Sequence, residues 1–250
     1  HQAVDMMRRL IAISVALAVW QAAAVVVDSV IFPTPVDCWT AAQEAVLDGS
    51  LWKNTVASLA RVGVGYLLAA VLGVFLGAVS GIAGTMGLGF RDVLELLRPI
   101  PPIAWVPIAI LWFGLGNSSA WFVVFLGAFF PIFVAVAHAF ANCPDEHLEV
   151  SRAFKASAWD TLVSVRIPAA APHIAQGLRV GLGLAWTSVI AAELVGVKNG
   201  LGDRIQQLRY VSDYEGMVVC MITIGLLGWL MTNGANVAQR RMVPWQKSSV

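Results

Sequence analysis

The sequence predicts an all-α integral membrane protein with about six transmembrane helices, and three observations predict it. Hydrophobic residues make up 58% of the 250 and charged residues only 12%, where a soluble globular domain carries about 25% charged residues. Mean hydropathy is +0.76. From Pro99 to Pro144 there is no Asp, Glu, Lys or Arg, and runs of this kind recur at the length of a membrane span.

A bilayer core of roughly 30 Å takes about 20 predominantly apolar residues as a helix. Six runs meet that length: Leu10 to Val27, Val62 to about Ala83, about Val93 to Phe113, Ala120 to about Ala141, about His173 to Val195, and about Tyr214 to Gly234. The turn-prone Gly114-Leu-Gly-Asn-Ser-Ser119 separates the third from the fourth. All are helices, because a lipid-exposed backbone must satisfy its own hydrogen bonds and nothing suggests a closed barrel. The chain begins with His1, which reads as a trimmed start, and Leu10–Val27 reads as a retained first span rather than a cleavable signal peptide.

Short cytoplasmic loops are enriched in Lys and Arg. With the N-terminus inside, eleven of the sixteen basic residues fall on or near the cytoplasmic side, among them Arg8, Arg91, Arg98, Arg152, Lys155 and Arg179. Five remain outside: Lys53, Arg61, Lys198, Arg204 and Arg209. Both termini are therefore expected in the cytoplasm, and the longest cytoplasmic loop is 142–172. No basic cluster suggests nucleic acid. Cys38, Cys143 and Cys220 are too dispersed for a metal site or a disulfide framework and read as apolar fillers.

The loop runs Glu149-Val-Ser-Arg-Ala-Phe-Lys-Ala-Ser-Ala-Trp-Asp-Thr-Leu-Val-Ser-Val-Arg-Ile-Pro168. Phe154, Trp159, Leu162 and Val165 recur near helical spacing, which predicts a short amphipathic helix broken at Pro168 and Pro172. Such a helix buries its stripe on lipid headgroups or in a groove of a partner protein.

This segment resembles the "EAA" loop of binding-protein-dependent ABC permeases, in which Glu-Ala-Ala is followed after three residues by Gly, and about nine residues later by an apolar residue and Pro. Glu149 holds the first position, Ser151 stands for the second Ala, and Ile167-Pro168 closes the pattern. Lys155 stands where the family has glycine, which permits a tight bend or a left-handed backbone that lysine takes up less readily. Leu97-Arg-Pro-Ile-Pro-Pro102, Leu111-Trp-Phe-Gly-Leu-Gly116, Gly127-Ala-Phe-Phe-Pro-Ile132, Gly177-Leu-Arg-Val-Gly-Leu-Gly183 and Ala191-Ala-Glu-Leu194 resemble the branch that serves nitrate, sulfonate, taurine and bicarbonate. The similarity runs from about Phe32 to Leu230.

The resemblance implies a type I importer permease (MetI-like) fold as a single domain over 1–250, with a coupling loop at 142–172. It implies a second permease copy, two cytoplasmic ATPase subunits that carry ATP and Mg, an extracytoplasmic solute-binding protein, and a bacterial inner membrane location. The coupling helix is placed at Ala156 to Val165, and contact with the ATPase is implied for Glu149, Ser151, Ala153, Phe154, Lys155, Ala156, Ser157, Trp159 and Pro168. The mechanism implied is alternating access. The chain itself is not an enzyme and binds no cofactor: no lysine follows a glycine, so the phosphate loop is absent, and no nucleophile–base pair or metal-ligand cluster is found.

Candidate pathway residues are Arg98, Pro101, Pro102, Trp186 and Glu193. Prolines 99, 101, 102 and 107 interrupt or kink the third span, either as a binding site at a broken helix or as a structural kink. Glu193, ionisable within the fifth span, implies a role, either substrate contact or a carboxylate that holds neighbouring helices; its partner is not evident. Arg98 and Arg179 lie where long side chains snorkel to headgroups, with attraction for an anion as the other reading. Gly73, Gly77 and Gly81 share one helical face, for helix packing or a pore or dimer contact. His138, alone on an apolar face, reads as packed. Trp20, Trp112, Trp121 and Trp229 read as an interfacial belt. An ion-coupled secondary transporter, a non-transporting membrane subunit, and an importer of a heterocyclic vitamin precursor are the alternatives.

Overall fold

The computed structural model describes residues 2–243, which form helices joined by short turns, with no strand among them. The helix α1, Gln2–Val27, leads to α2, Pro35–Leu47, whose start is fixed by a reciprocal cap. Thr34 Oγ1 accepts from the Asp37 amide at 3.2 Å, and the Asp37 carboxylate accepts from the Thr34 amide at 3.2 Å. Next come α3, Ser50–Ile82, and α4, Thr85–Leu97. After a 3₁₀ turn at Pro102–Trp105 come α5, Val106–Phe113, and α6, Asn117–Ala141. The chain continues through α7, Asp145–Ala153, and α8, Ala158–Thr161, then a π turn, Leu162–Arg166, into α9, Ile167–Gly196. It ends with α10, Leu201–Tyr210, and α11, Tyr214–Met242.

The core is α6 gripped between α3 and α9. Glycines on both outer helices let the backbones meet. An added Cβ at Gly73 would stand 2.9 Å from Ile132, at Gly77 2.9 Å from the Phe133 carbonyl, and at Gly81 2.6 Å from Phe140. From the other side, a Cβ at Gly181 would stand 2.7 Å from Ile132. The glycine face of α3 is thus a packing face within one protomer. Ile132, Phe133 and Val136 fill the centre, fully buried. Helices in lipid gain no hydrophobic drive from meeting one another, so this close dispersion contact is what holds them.

Among the described residues, four helical runs are long and apolar enough to span: α3, α6, the continuous run Ala158–Gly196, and α11. The apolar part of α1, Ile11–Val27, is shorter and exposed along most of its length. The expected third span is not one straight helix. Arg91–Leu97 and Pro102–Phe113 meet at 89°, because a residue ahead of proline is pushed out of the helical region and three prolines within four residues remove amide donors. Two amphipathic helices, α2 and α10, are additional to the six predicted elements.

The loop departs from expectation in two ways. Phe154 caps the end of α7 and is not on the following helix. The helix from Ala158 is also not broken at Pro168 or Pro172. In the widened turn the Ile167 amide donates to the Leu162 carbonyl, five residues back, which relieves the clash of a proline ring with the preceding turn. Pro168, directly after that turn, and Pro172 both ride within the continuous helix. His138 also departs from expectation: it is exposed, with Nε2 3.6 Å from Glu95 Oε1.

Candidate functional site

Two constructions stand at opposite ends of the run Ala158–Gly196, which at 1.5 Å per residue is about 58 Å long. At the Ala158 end is the turn between α7 and α8. Lys155 has φ +50°, its amide donates to the Arg152 carbonyl at 2.9 Å, and the Ala156 amide donates to the Ser151 carbonyl at 3.1 Å. This pair of bonds around a left-handed residue is the Schellman helix ending, whose left-handed position glycine favours. The glycine of the family pattern would fit this left-handed position without strain, and here Lys155 takes it up. Ser157 then caps α8 reciprocally with Asp160: the Asp160 amide donates to Ser157 Oγ at 3.1 Å, and Ser157 Oγ donates to the Asp160 carboxylate at 2.6 Å. Ser151 Oγ, buried, lies 2.6 Å from Thr161 Oγ1 and ties the two short helices together.

Held by that turn, Phe154 is 83% and Trp159 70% exposed. Glu149, Ala153, Lys155, Ala156, Ser157 and Pro168 are exposed as well. Beside them a groove of about 620 Å³ runs between α7 and α8, lined by Leu148, Arg152, Trp159, Leu162 and Arg166. The result is a stiff, shaped projection with two large apolar side chains turned outward.

At the Glu193 end is a buried polar clamp. Arg61 Nη1 donates to Glu193 Oε1 at 2.6 Å, with side chains 6% and 0% exposed. Ser58 Oγ lies 2.8 and 2.9 Å from the two carboxylate oxygens, and the Gly202 amide donates to Oε2 at 3.0 Å. The rest of the Arg61 guanidinium is also engaged: Nη1 donates to the Asn199 carbonyl at 2.7 Å, Nη2 to the Lys198 carbonyl at 3.0 Å, and Nε to Asn117 Oδ1 at 2.8 Å. Asn54 Oδ1 accepts from the Gly200 amide at 2.8 Å, and Ser58 Oγ from the Leu201 amide at 3.0 Å. Gly200, at φ +115°, leaves room for the pair; a side chain there would run into both the Glu193 carboxylate and the Arg61 guanidinium. A buried carboxylate and guanidinium with every polar atom engaged form a joint between α3, α6, α9 and the turn into α10.

The candidate pathway residues do not converge. Arg98 and Pro101 are exposed and Pro102 half-buried at the 89° break. Trp186 is buried, with its indole N–H donating to the Ile224 carbonyl at 3.1 Å, so it packs α9 on α11. Arg179 donates to Asn236 Oδ1 at 2.9 Å, a further tie between those helices. Sequence reasoning did not single out Arg61, Ser58 or Asn54 as partners of Glu193. Their signal was present: Asn54, Ser58 and Arg61 are spaced by four and three residues and so share one face of α3.

Several helical runs long and apolar enough to span a bilayer, with an exposed helical projection at one end of the longest, define a multi-span helical membrane protein. Residues 54–248 match the family of binding-protein-dependent transport system inner membrane components, and the chain belongs to that family, as the permease subunit of an ABC importer. A putative ABC transporter permease of Methanocaldococcus jannaschii is 40% identical over 200 residues, covering 80% of this chain and 75% of that protein. The putative aliphatic sulfonates transport permease SsuC of Bacillus subtilis is 31% identical, covering 97% and 88%. The nitrate import permease NrtB of Synechococcus elongatus is 36% identical, covering 71% and 65%. Among solved structures, the MetNI methionine ABC transporter in an inward-facing conformation matches at a TM-score of 0.66 and 20% identity over 78% of this chain and 95% of that chain, which shows the fold.

Proposed function

We propose that this chain forms, with a second copy, the pathway of an importer for a small anion of the sulfonate or nitrate class. Two ATPase subunits at the cytoplasmic face bind ATP and Mg and drive it, and an extracytoplasmic binding protein delivers the solute. The observation that carries this reading is the rigid α7–α8 projection with Phe154 and Trp159 exposed. An apolar pair held out by the Ser157–Asp160 cap and a Schellman turn suits a pocket on a partner better than a lipid surface, because its helices are short and largely polar. The inward Lys and Arg bias supports the projection and both termini lying in the cytoplasm. The sulfonate and nitrate relatives support the solute class. Alternating access follows if the projections move with the ATPases and the two copies rock against each other.

The experiment is copurification with the ATPase partner and solute uptake into proteoliposomes. Phe154→Asp with Trp159→Ala should abolish ATPase association while the permease still elutes as a folded species. Uptake of taurine or nitrate driven by ATP is expected from the wild-type complex; uptake by the permease alone, driven by an ion gradient, would overturn the assignment.

A further inference from the structure

The clamp and the projection sit at the two ends of one continuous helix, and each end is bonded to neighbouring elements. From Ala158 the helix runs without a break to Gly196. Its first turns are tied to α7 by Ser151 and Thr161; near its other end Glu193 binds Arg61 and Ser58 of α3 and the Gly202 amide at the start of α10, and Arg61 in turn donates to the Lys198 and Asn199 carbonyls of the turn between them. Arg61 adds α6 through Asn117. A lone ion pair would join two helices; here a guanidinium with all three nitrogens engaged joins three helices and a turn. With its polar atoms partnered across these elements, the joint ties them into one unit, and packed, hydrogen-bonded units of this kind can carry coupling over a distance.

We infer that the Arg61–Glu193 clamp is a positioning device that makes the outer ends of α3, α6 and α9, together with α10, move as one body with the coupling projection, so that displacement of α7–α8 arrives at α10. The inference rests on the proposed function, since it takes the projection to be the ATPase contact. Glu193 then acts in the pathway's movement and not as a solute ligand: Arg61, Ser58 and the Gly202 amide occupy both carboxylate oxygens. The arginine is needed as a fork. A lysine in its place could keep the ion pair but has no geometry for Asn117 and the two carbonyls together.

The test uses the permease–ATPase complex in lipid nanodiscs, with ATP, Mg and vanadate as the trapping probe and amide hydrogen exchange as the readout. In the wild type, trapping should change exchange in 145–166 and in 197–210. Arg61→Lys should keep the change in 145–166 and shrink that in 197–210 several-fold. A merely structural role would instead raise exchange in 197–210 equally with and without the probe. Asn54→Ala, which frees the Gly200 amide and removes a side-chain bond to the Ser50 carbonyl within α3 while leaving the Arg61–Glu193 pair intact, tests the same point should Arg61→Lys fail to fold, and is expected to reduce the trapped change by about half. Both variants retaining the full change in 197–210 overturns the inference. A wild-type response in 145–166 with none in 197–210 also overturns it, while leaving the functional reading intact. No response in 145–166 sinks both.

Discussion

Lys155 and Glu193 are each held in a condition their side chains resist. A left-handed backbone costs a non-glycine residue about 1 kcal/mol relative to glycine, and Lys155 adopts it because the Schellman bonds of Arg152 and Ser151 demand it. Lys155→Gly is therefore expected to raise unfolding stability by about 1 kcal/mol, read from thermal or denaturant unfolding in detergent. A fall in stability would mean that the lysine ammonium contributes more than its backbone costs. The Glu193 carboxylate is buried, and although Ser58 and the Gly202 amide also bond it, its charge is balanced by Arg61. Removing one partner of a buried pair leaves an uncompensated charge, at a cost of about 3–5 kcal/mol. Glu193→Ala and Arg61→Met should each be strongly destabilising, and the double variant markedly less so than the sum of the two. An additive double variant would show that the two residues act independently.

At the scale of elements, the sequence was readable wherever a signal was local. Apolar runs announced α3, α6, α9 and α11, and the proline cluster after Arg98 announced a break, though not its 89° angle. The short helices α2 and α10 were missed because span counting looks for about 20 apolar residues. Each nonetheless carries its start signal: Thr34 with Asp37 for α2, and Gly200 ahead of α10. The continuity of α8 into α9 was not readable, because Pro168 and Pro172 normally end a helix and the π turn that accommodates them has no residue signature. The Arg61–Glu193 contact spans 132 residues, and nothing in a single chain read linearly pairs them. The α3 glycine row was readable as a face, and the structure adds what it faces. Gly77→Leu should cost on the order of 1–3 kcal/mol by forcing α3 from Phe133 and Val136, seen as a lost folded peak in size exclusion. Gly63→Ala, with open space around it, should leave that peak unchanged.

At the scale of the whole molecule, α8–α9 is expected to carry its two ends to opposite sides of a bilayer. About 58 Å of helix exceeds a hydrocarbon core of roughly 30 Å with length left over at both interfaces. Thiol labelling tests this directly, because Cys38, Cys143 and Cys220 are all free and buried. Burial pushes the Cys38 thiol up, and the nearby Glu215 and Asp37 charges push it further, so it holds little of the reactive thiolate at neutral pH. The wild type should therefore take up almost no membrane-impermeant maleimide, giving a quiet background. Tyr210→Cys, at the exposed end of α10, should label in intact cells. Glu146→Cys, exposed on α7, should label only after the membrane is permeabilised. The reverse pattern would invert the orientation and place the α7–α8 projection outside, where no ATPase could reach it. Labelling of both from one side would mean that the long helix does not cross, and the link from projection to clamp would lose its physical basis.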